Sequence, residues 1–202
     1  MLLKVCGMTR QEDLRLASEL GVDFCGFIFH PKSPRYIDPH TVGSLESGHM
    51  RRVGVFVGQE AEEIERIIDV ARLDFAQLHG KQSVETARKV GAARVIRVLW
   101  PQRYCHKALL YREVCRHAES CAMFLFDAGQ SGGGSGQKIN WGNLAGLSSP
   151  RPWLLAGGLN AKNVASAWEE TGADGVDLNS GIEIEPGIKN PQAMREAVGK
   201  LR

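Results

Sequence analysis

The stretch Ala122-Met-Phe-Leu-Phe-Asp127-Ala-Gly-Gln-Ser-Gly-Gly-Gly-Ser-Gly136 runs from apolar residues through an acid into a glycine-rich loop. Its apolar part, 122–126, reads as a buried strand, because a short unbroken apolar run can hide both faces. A carboxylate at the C-terminal end of such a strand, followed by a loop able to cover a ligand, reads as the edge of an active site. The loop is too long for a simple turn, and a linker inside a compact domain is disfavoured. It therefore reads as a lid or ligand cover.

Working outward, the same pattern recurs. Apolar runs at 2–6, 23–29, 53–57, 74–78, 93–99, 122–126, 152–156 and 175–178 read as strands. Between and after them, 10–20, 60–72, 83–90, 104–118, 161–170 and 191–201 carry apolar residues at helical spacing. The segment 39–48 is a poor helix, and 141–147 a short one. Gly21-Val-Asp, Gly91-Ala-Ala and Gly172-Ala-Asp each read as a helix cap that feeds a strand at once.

Strands alternating with helices imply parallel pairing and right-handed crossovers. Eight such units in 202 residues predict a compact (β/α)8 barrel with short loops, one domain over 1–202. An open dinucleotide-binding sheet would want a G-x-G-x-x-G turn after its first strand, and Cys6-Gly-Met-Thr is not one. The net charge of +2 gives no electrostatic case for a nucleic-acid or membrane partner. No apolar run approaches the roughly 20 residues of a membrane helix, and the first residues lead straight into a strand rather than a leader. Five cysteines in no disulfide pattern favour a reducing cytoplasm.

In a barrel the chemistry sits at the C-terminal strand ends. Here those are read as Cys6, 30–35, Val57, His79, Arg97, Asp127, Gly157-Gly158 and 177–180. Cys6 is either a base or nucleophile, or a buried core thiol; Gly7 beside it would let a ligand approach. Asp127 is the natural acid or base, its bland alternative a turn former. Gly157, Gly158, Ser180 and Gly181 close adjacent strands, where barrels often bind phosphate through backbone amides. Arg35 could fork to a carboxylate or be a solvated loop arginine. Asp177 could bind a sugar hydroxyl or orient a neighbour, and His79 could donate to substrate or be a satisfied core histidine. Cys105, His106, Cys115, His117 and Cys121 cluster in sequence but lack paired zinc spacing, and most are placed on the fifth helix, so no metal site is expected.

Several motifs run in order along nearly the whole chain. They are Lys4-Val-Cys-Gly-Met-Thr9, Gly26-Phe-Ile-Phe-His-Pro-Lys-Ser-Pro-Arg-Tyr-Ile37, Val53-Gly-Val-Phe-Val57 and Gln77-Leu-His-Gly80. They continue with Asp127 and its glycine tract, Leu155-Ala-Gly-Gly-Leu159, Gly175-Val-Asp-Leu-Asn-Ser-Gly-Ile-Glu183 and Pro186-Gly-Ile-Lys189. Together they resemble the phosphoribosylanthranilate isomerase family. The resemblance implies a (β/α)8 barrel and a cofactor-free Amadori rearrangement of a phosphorylated aminoaldose. It implies Asp127 as general acid, Cys6 as general base, Arg35 on the anthranilate carboxylate and Asp177 near the base. The phosphate would fall to Gly157, Gly158, Ser180 and Gly181. Ala128 and Asn179 depart from the family's usual residues, without touching the acid or base.

A histidine-pathway sugar isomerase is the nearest alternative, but it would want paired aspartates where this chain has Cys6 and Arg97. A silent phosphate-binding barrel would need neither Cys6 nor Asp127. The only partner implied is a small phosphorylated substrate, with association to other tryptophan-pathway enzymes left open.

Overall fold

The computed structural model describes residues 1–128 and 141–202. Eight parallel strands close into a barrel: β1 (Leu2–Val5), β2 (Phe24–Ile28), β3 (Arg51–Phe56), β4 (Phe75–Leu78), β5 (Val95–Leu99), β6 (Met123–Asp127), β7 (Trp153–Ala156) and β8 (Gly175–Leu178). Each strand pairs with the next, and β8 returns to β1, with Lys4 opposite Asp177. Outside lie α1 (Gln11–Glu19), α2 (Pro39–Ser44), α3 (Ala61–Ala71), α4 (Val84–Val90), α5 (Lys107–His117), α6 (Val164–Thr171) and α7 (Pro191–Gly199). A hairpin of β9 (Glu183–Glu185) and β10 (Ile188–Lys189) precedes α7. Among the described residues, no helix is long and apolar enough to cross a membrane.

Local chemistry sets the boundaries. Asp38 accepts from the amides of His40 and Thr41, and Pro39 opens α2, yet that helix ends after six residues. Asn190 and Pro191 start α7 in the same way. Gly172 closes α6 in the left-handed conformation at φ 67°. Gly91 does not feed a strand directly, because Ala92–Arg94 first form a 3-10 turn and β5 begins at Val95. The fifth helix starts at Lys107, since Pro101–Arg103 form a 3-10 turn of their own. Only Cys115 and His117 of the Cys/His cluster are therefore on that helix. The short helix expected over 141–147 is a 3-10 turn at Trp141–Asn143.

Three aspartates tie the strands together at their N-terminal ends. Asp23, Asp74 and Asp174 each stand just before a strand. Their carboxylates accept from the amides of Leu3 (2.8 Å), Arg52 (2.7 Å) and Trp153 (2.9 Å) on the preceding strand. The backbone amides of Asp23 and Asp74 return a bond to the carbonyls of Leu3 and Arg52.

Two packed regions follow from strand alternation. Between barrel and helices lies the larger one, with Phe27, Phe56, Phe124 and Phe126 among its residues. Inside the barrel, Phe24, Val53, Ile96, Met123, Leu125 and Leu154 form an apolar floor. Above that floor the interior turns polar: Lys4, Gln77 and Asp177 are all buried there.

Candidate active site

The C-terminal mouth of the barrel lies above this polar layer. Cys6 sits two residues beyond Lys4, on the same inward face of β1, and is 4 % exposed. Its thiol has room because residue 26 on β2 is glycine: a Cβ there would lie 2.7 Å from Cys6 Sγ. Lys4 Nζ donates to Asp177 Oδ2 at 2.8 Å, across the seam that closes the barrel. Asp177 Oδ1 is buried with no hydrogen-bond partner among the described residues.

The electrostatics follow from burial and charge. Burial pushes the Cys6 thiol up, opposed by the charges of Lys4 and Lys189 and reinforced by Asp177. Burial works against the Lys4 ammonium, but Asp177 and Cys6 outweigh it and leave Lys4 above its ordinary value. Lys4 therefore stands charged beneath the thiol. Burial also pushes Asp177 up, against the pull of Lys4.

A second ionic group borders Cys6. Glu183 accepts from Arg35 Nε at 3.0 Å and Nη2 at 2.6 Å, and from Lys189 Nζ at 2.8 Å. Lys189 is fully buried and also donates to Asn179 Oδ1 at 3.0 Å. Burial alone would raise Glu183, yet the Arg35 bond and Lys189 hold it below the usual carboxylate range. Gly7 (φ 70°) is wedged between these groups: a Cβ would lie 2.7 Å from Asn179 Oδ1 and 2.8 Å from Arg35 Cδ.

Across the mouth, Asp127 ends β6 with its side chain 23 % exposed, and its Oδ2 lies 3.7 Å from His79 Nε2. Gln77 Nε2 is 3.1 Å from His79 Nδ1, and Trp100 meets the imidazole edge-on at 5.4 Å. Burial, with Lys4 and Arg103, lowers His79 to about 4, so the ring is neutral at pH 7.

The glycine loops meet. Gly157 and Gly158 are left-handed at φ 101° and 65°. The Gly158 carbonyl accepts from Asn160 Nδ2 (3.3 Å) and Asn163 Nδ2 (3.1 Å). Gly181 packs on the Leu159 carbonyl so closely that no Cβ would fit. Among the described residues, the backbone amides of Gly158, Ser180 and Gly181 have no protein acceptor. Unpaired amides on two touching loops are suited to an anion.

One expected strand end falls elsewhere. Arg97 lies mid-strand, and its neighbours Ile96 and Val98 take the interior. Its side chain faces α4, donating to the carbonyls of Gln82 (2.8 Å) and Ser83 (3.1 Å). The residue β5 contributes to the mouth is Trp100, which sequence reading missed although Ile96, Val98 and Trp100 alternate inward. Lys4, Asn179, Glu183 and Lys189 were quoted in motifs without a role. The glycine tract over 129–136, read as a ligand cover, lies outside the described residues. Among the described residues, no three His, Cys, Asp or Glu side chains are grouped to hold a metal ion.

Comparison with known proteins bears on this geometry. The family model described as N-(5'phosphoribosyl)anthranilate (PRA) isomerase matches residues 3–200. An N-(5'-phosphoribosyl)anthranilate isomerase of Desulfovibrio desulfuricans is 60 % identical over 98 % of this chain and 94 % of its own length. The phosphoribosyl anthranilate isomerase of Thermotoga maritima superposes with a TM-score of 0.85 at 32 % identity, covering 99 % of this chain and 98 % of the other. A structure of the isomerase with reduced 1-(o-carboxyphenylamino)-1-deoxyribulose 5-phosphate gives a TM-score of 0.80 at 29 % identity, with coverage of 99 % and 98 %.

Proposed function

The chain belongs to the N-(5'-phosphoribosyl)anthranilate isomerase family, enzymes of tryptophan biosynthesis, and we propose that its Amadori rearrangement runs on Asp127 as general acid and Cys6 as general base. The observation that carries this reading is the placement of Asp127 and Cys6 at the mouth of one barrel, on β6 and just beyond β1.

Asp127 protonates the furanose ring oxygen, the bond from that oxygen to C1′ breaks, and the anilino nitrogen's lone pair forms the Schiff base. The Cys6 thiolate then takes the C2′ proton, and the electrons of that C–H bond flow toward the iminium to give the enolamine. Tautomerisation to the aminoketose puts one proton on C1′ and takes one from the C2′ hydroxyl. The pair ends as it began, and the substrate has only rearranged. The roles need a protonated carboxyl and a thiolate at one pH; burial holds the Cys6 thiol above its ordinary value, so the thiolate depends on the nearby positive charges that oppose it.

The substrate is a small phosphorylated molecule. Its phosphate is assigned to the amides of Gly158, Ser180 and Gly181, with Gly157 shaping the loop. Arg35 keeps its place as the partner of the anthranilate carboxylate, which would share the guanidinium with Glu183. The unpaired Asp177 Oδ1 is suited to accept from a ribose hydroxyl beside Cys6. His79, neutral and between Gln77 and Asp127, is suited to orient the acid. One barrel domain over 1–202 carries the whole reaction, and the free cysteines suit a reducing cytoplasm.

The test is loss of anthranilate fluorescence when the protein meets phosphoribosylanthranilate generated in situ. Cys6→Ala and Asp127→Asn should each lower kcat by about 10²–10⁴ with the fold unchanged by circular dichroism. A variant that kept wild-type turnover would strike that residue from the mechanism.

A further inference from the structure

The mechanism above gives Lys4 no part. Lys4 is fully buried inside the barrel, and among the described residues its only carboxylate partner is Asp177. A buried ion pair is a poor device for stability, because desolvating both charges offsets most of their attraction. An apolar pair at Lys4 and Asp177 would continue the floor below and close β8 onto β1 equally well. The pair is also incomplete, since Asp177 Oδ1 has no partner among the described residues. What the position does provide is a cation directly beneath the thiol, on the same strand face.

We infer that Lys4 is a positioning residue for the isomerisation: its ammonium, anchored by Asp177, stabilises the Cys6 thiolate that receives the substrate proton. This rests on the reading of Cys6 as the base. The charged groups around Cys6 are Lys4 on β1, Asp177 on β8 and Lys189 on β10. Glu183 and Arg35 stand behind Lys189, and His79 and Asp127 lie across the mouth. Lys189 is already matched by Glu183 at 2.8 Å and shared with Asn179 at 3.0 Å. Lys4 is held from the other side by Asp177, which fixes the ammonium and adds a negative charge of its own. The two members of the pair must therefore act on the thiol with opposite sign, and Lys4 outweighs Asp177.

The experiment is a pH titration of the Cys6 thiolate by ultraviolet absorbance, taken as the difference between each protein and its Cys6→Ala counterpart. Lys4→Met should move the thiol midpoint up by at least about one pH unit. Its kcat should fall at neutral pH and recover as the pH rises. Asp177→Asn should move the midpoint down. The double variant Lys4→Met/Asp177→Asn, which leaves no lone buried charge, should stay above wild type and carries the test if Lys4→Met does not fold. Melting temperatures that drop while the thiol midpoint stays put would make Lys4 a staple and overturn the inference. So would midpoints of the two single variants that shift the same way. A fully active Cys6→Ala would remove the base itself, and Lys4's part in the reaction with it. A dead Cys6→Ala beside an unshifted thiol in Lys4→Met would overturn Lys4 alone.

Discussion

At the scale of single residues the site depends on what is missing as much as on what is present. Gly26 has no role in the chemistry, yet a side chain there would meet Cys6 Sγ at 2.7 Å and Cys6 Cα at 3.1 Å. The second contact is backbone and cannot rotate away. Gly26→Ala should therefore displace the thiol and lower kcat by about 10-fold or more, because small misplacements at a reacting centre are costly. It should destabilise the barrel by about 1–3 kcal/mol. Turnover assays beside thermal melts check both, and normal turnover would mean that the added methyl is accommodated without moving the thiol. Cys6 and Asp127 were legible as site candidates because they stand where apolar runs end. Lys4 was not, because a lysine on a short strand reads as solvated. Only closure of the sheet sets it against Asp177, 173 positions later.

At the scale of elements, the β9–β10 hairpin organises one wall of the mouth through Glu183, which gathers Arg35, Lys189 and the Gly187 amide. Glu183→Gln should cost about 3 kcal/mol at neutral pH, since it leaves Lys189 buried without its counter-charge. The folded Glu183 lies below its ordinary value, so its contribution is complete above the unfolded carboxylate's titration. It is lost as pH falls through the folded one. The deficit of the variant should accordingly shrink in acid. Urea unfolding at neutral and acid pH reads this, and a deficit constant with pH would mean that the charge of Glu183 is not what matters. The alternation of strand and helix was plain in the sequence, but element ends were not. A shift of one residue along β5 exchanges Arg97 for its inward neighbours, because side chains alternate faces with period two. The hairpin was invisible for another reason: its two short strands carry no apolar run, and Glu183 is held by Lys189 within the hairpin and by Arg35 from a distant loop.

At the scale of the whole molecule, acid tolerance has a buried limit. His117, the last residue of α5, is buried near Arg97, and burial with that guanidinium lowers it to about 4. Its Nδ1 has no hydrogen-bond partner among the described residues. An unfolded histidine titrates near 6.5, so between about 6.5 and 4 the unfolded chain holds a proton that the folded one refuses. Stability from His117 is present above that window and falls as the pH drops through it, by about 2–3 kcal/mol in all. His79, also lowered to about 4, adds a slope of the same sign. His117→Gln should flatten the loss between pH 7 and pH 4 in urea titrations; an unchanged slope would place the acid sensitivity elsewhere.

The aspartates at the other end of the barrel give the architecture a division of labour. Gly21-Val-Asp and Gly172-Ala-Asp read as caps through their glycines, but Asp23 and Asp174, together with Asp74, are what clasp an amide at the start of one strand to the turn before the next. None of them borders the mouth where Cys6 and Asp127 stand. Adaptation to heat or cold can therefore act on these clasps while the chemistry at the opposite end is left alone. Evolution has two separate dials on this barrel, one for endurance and one for turnover, with the length of each strand insulating one from the other.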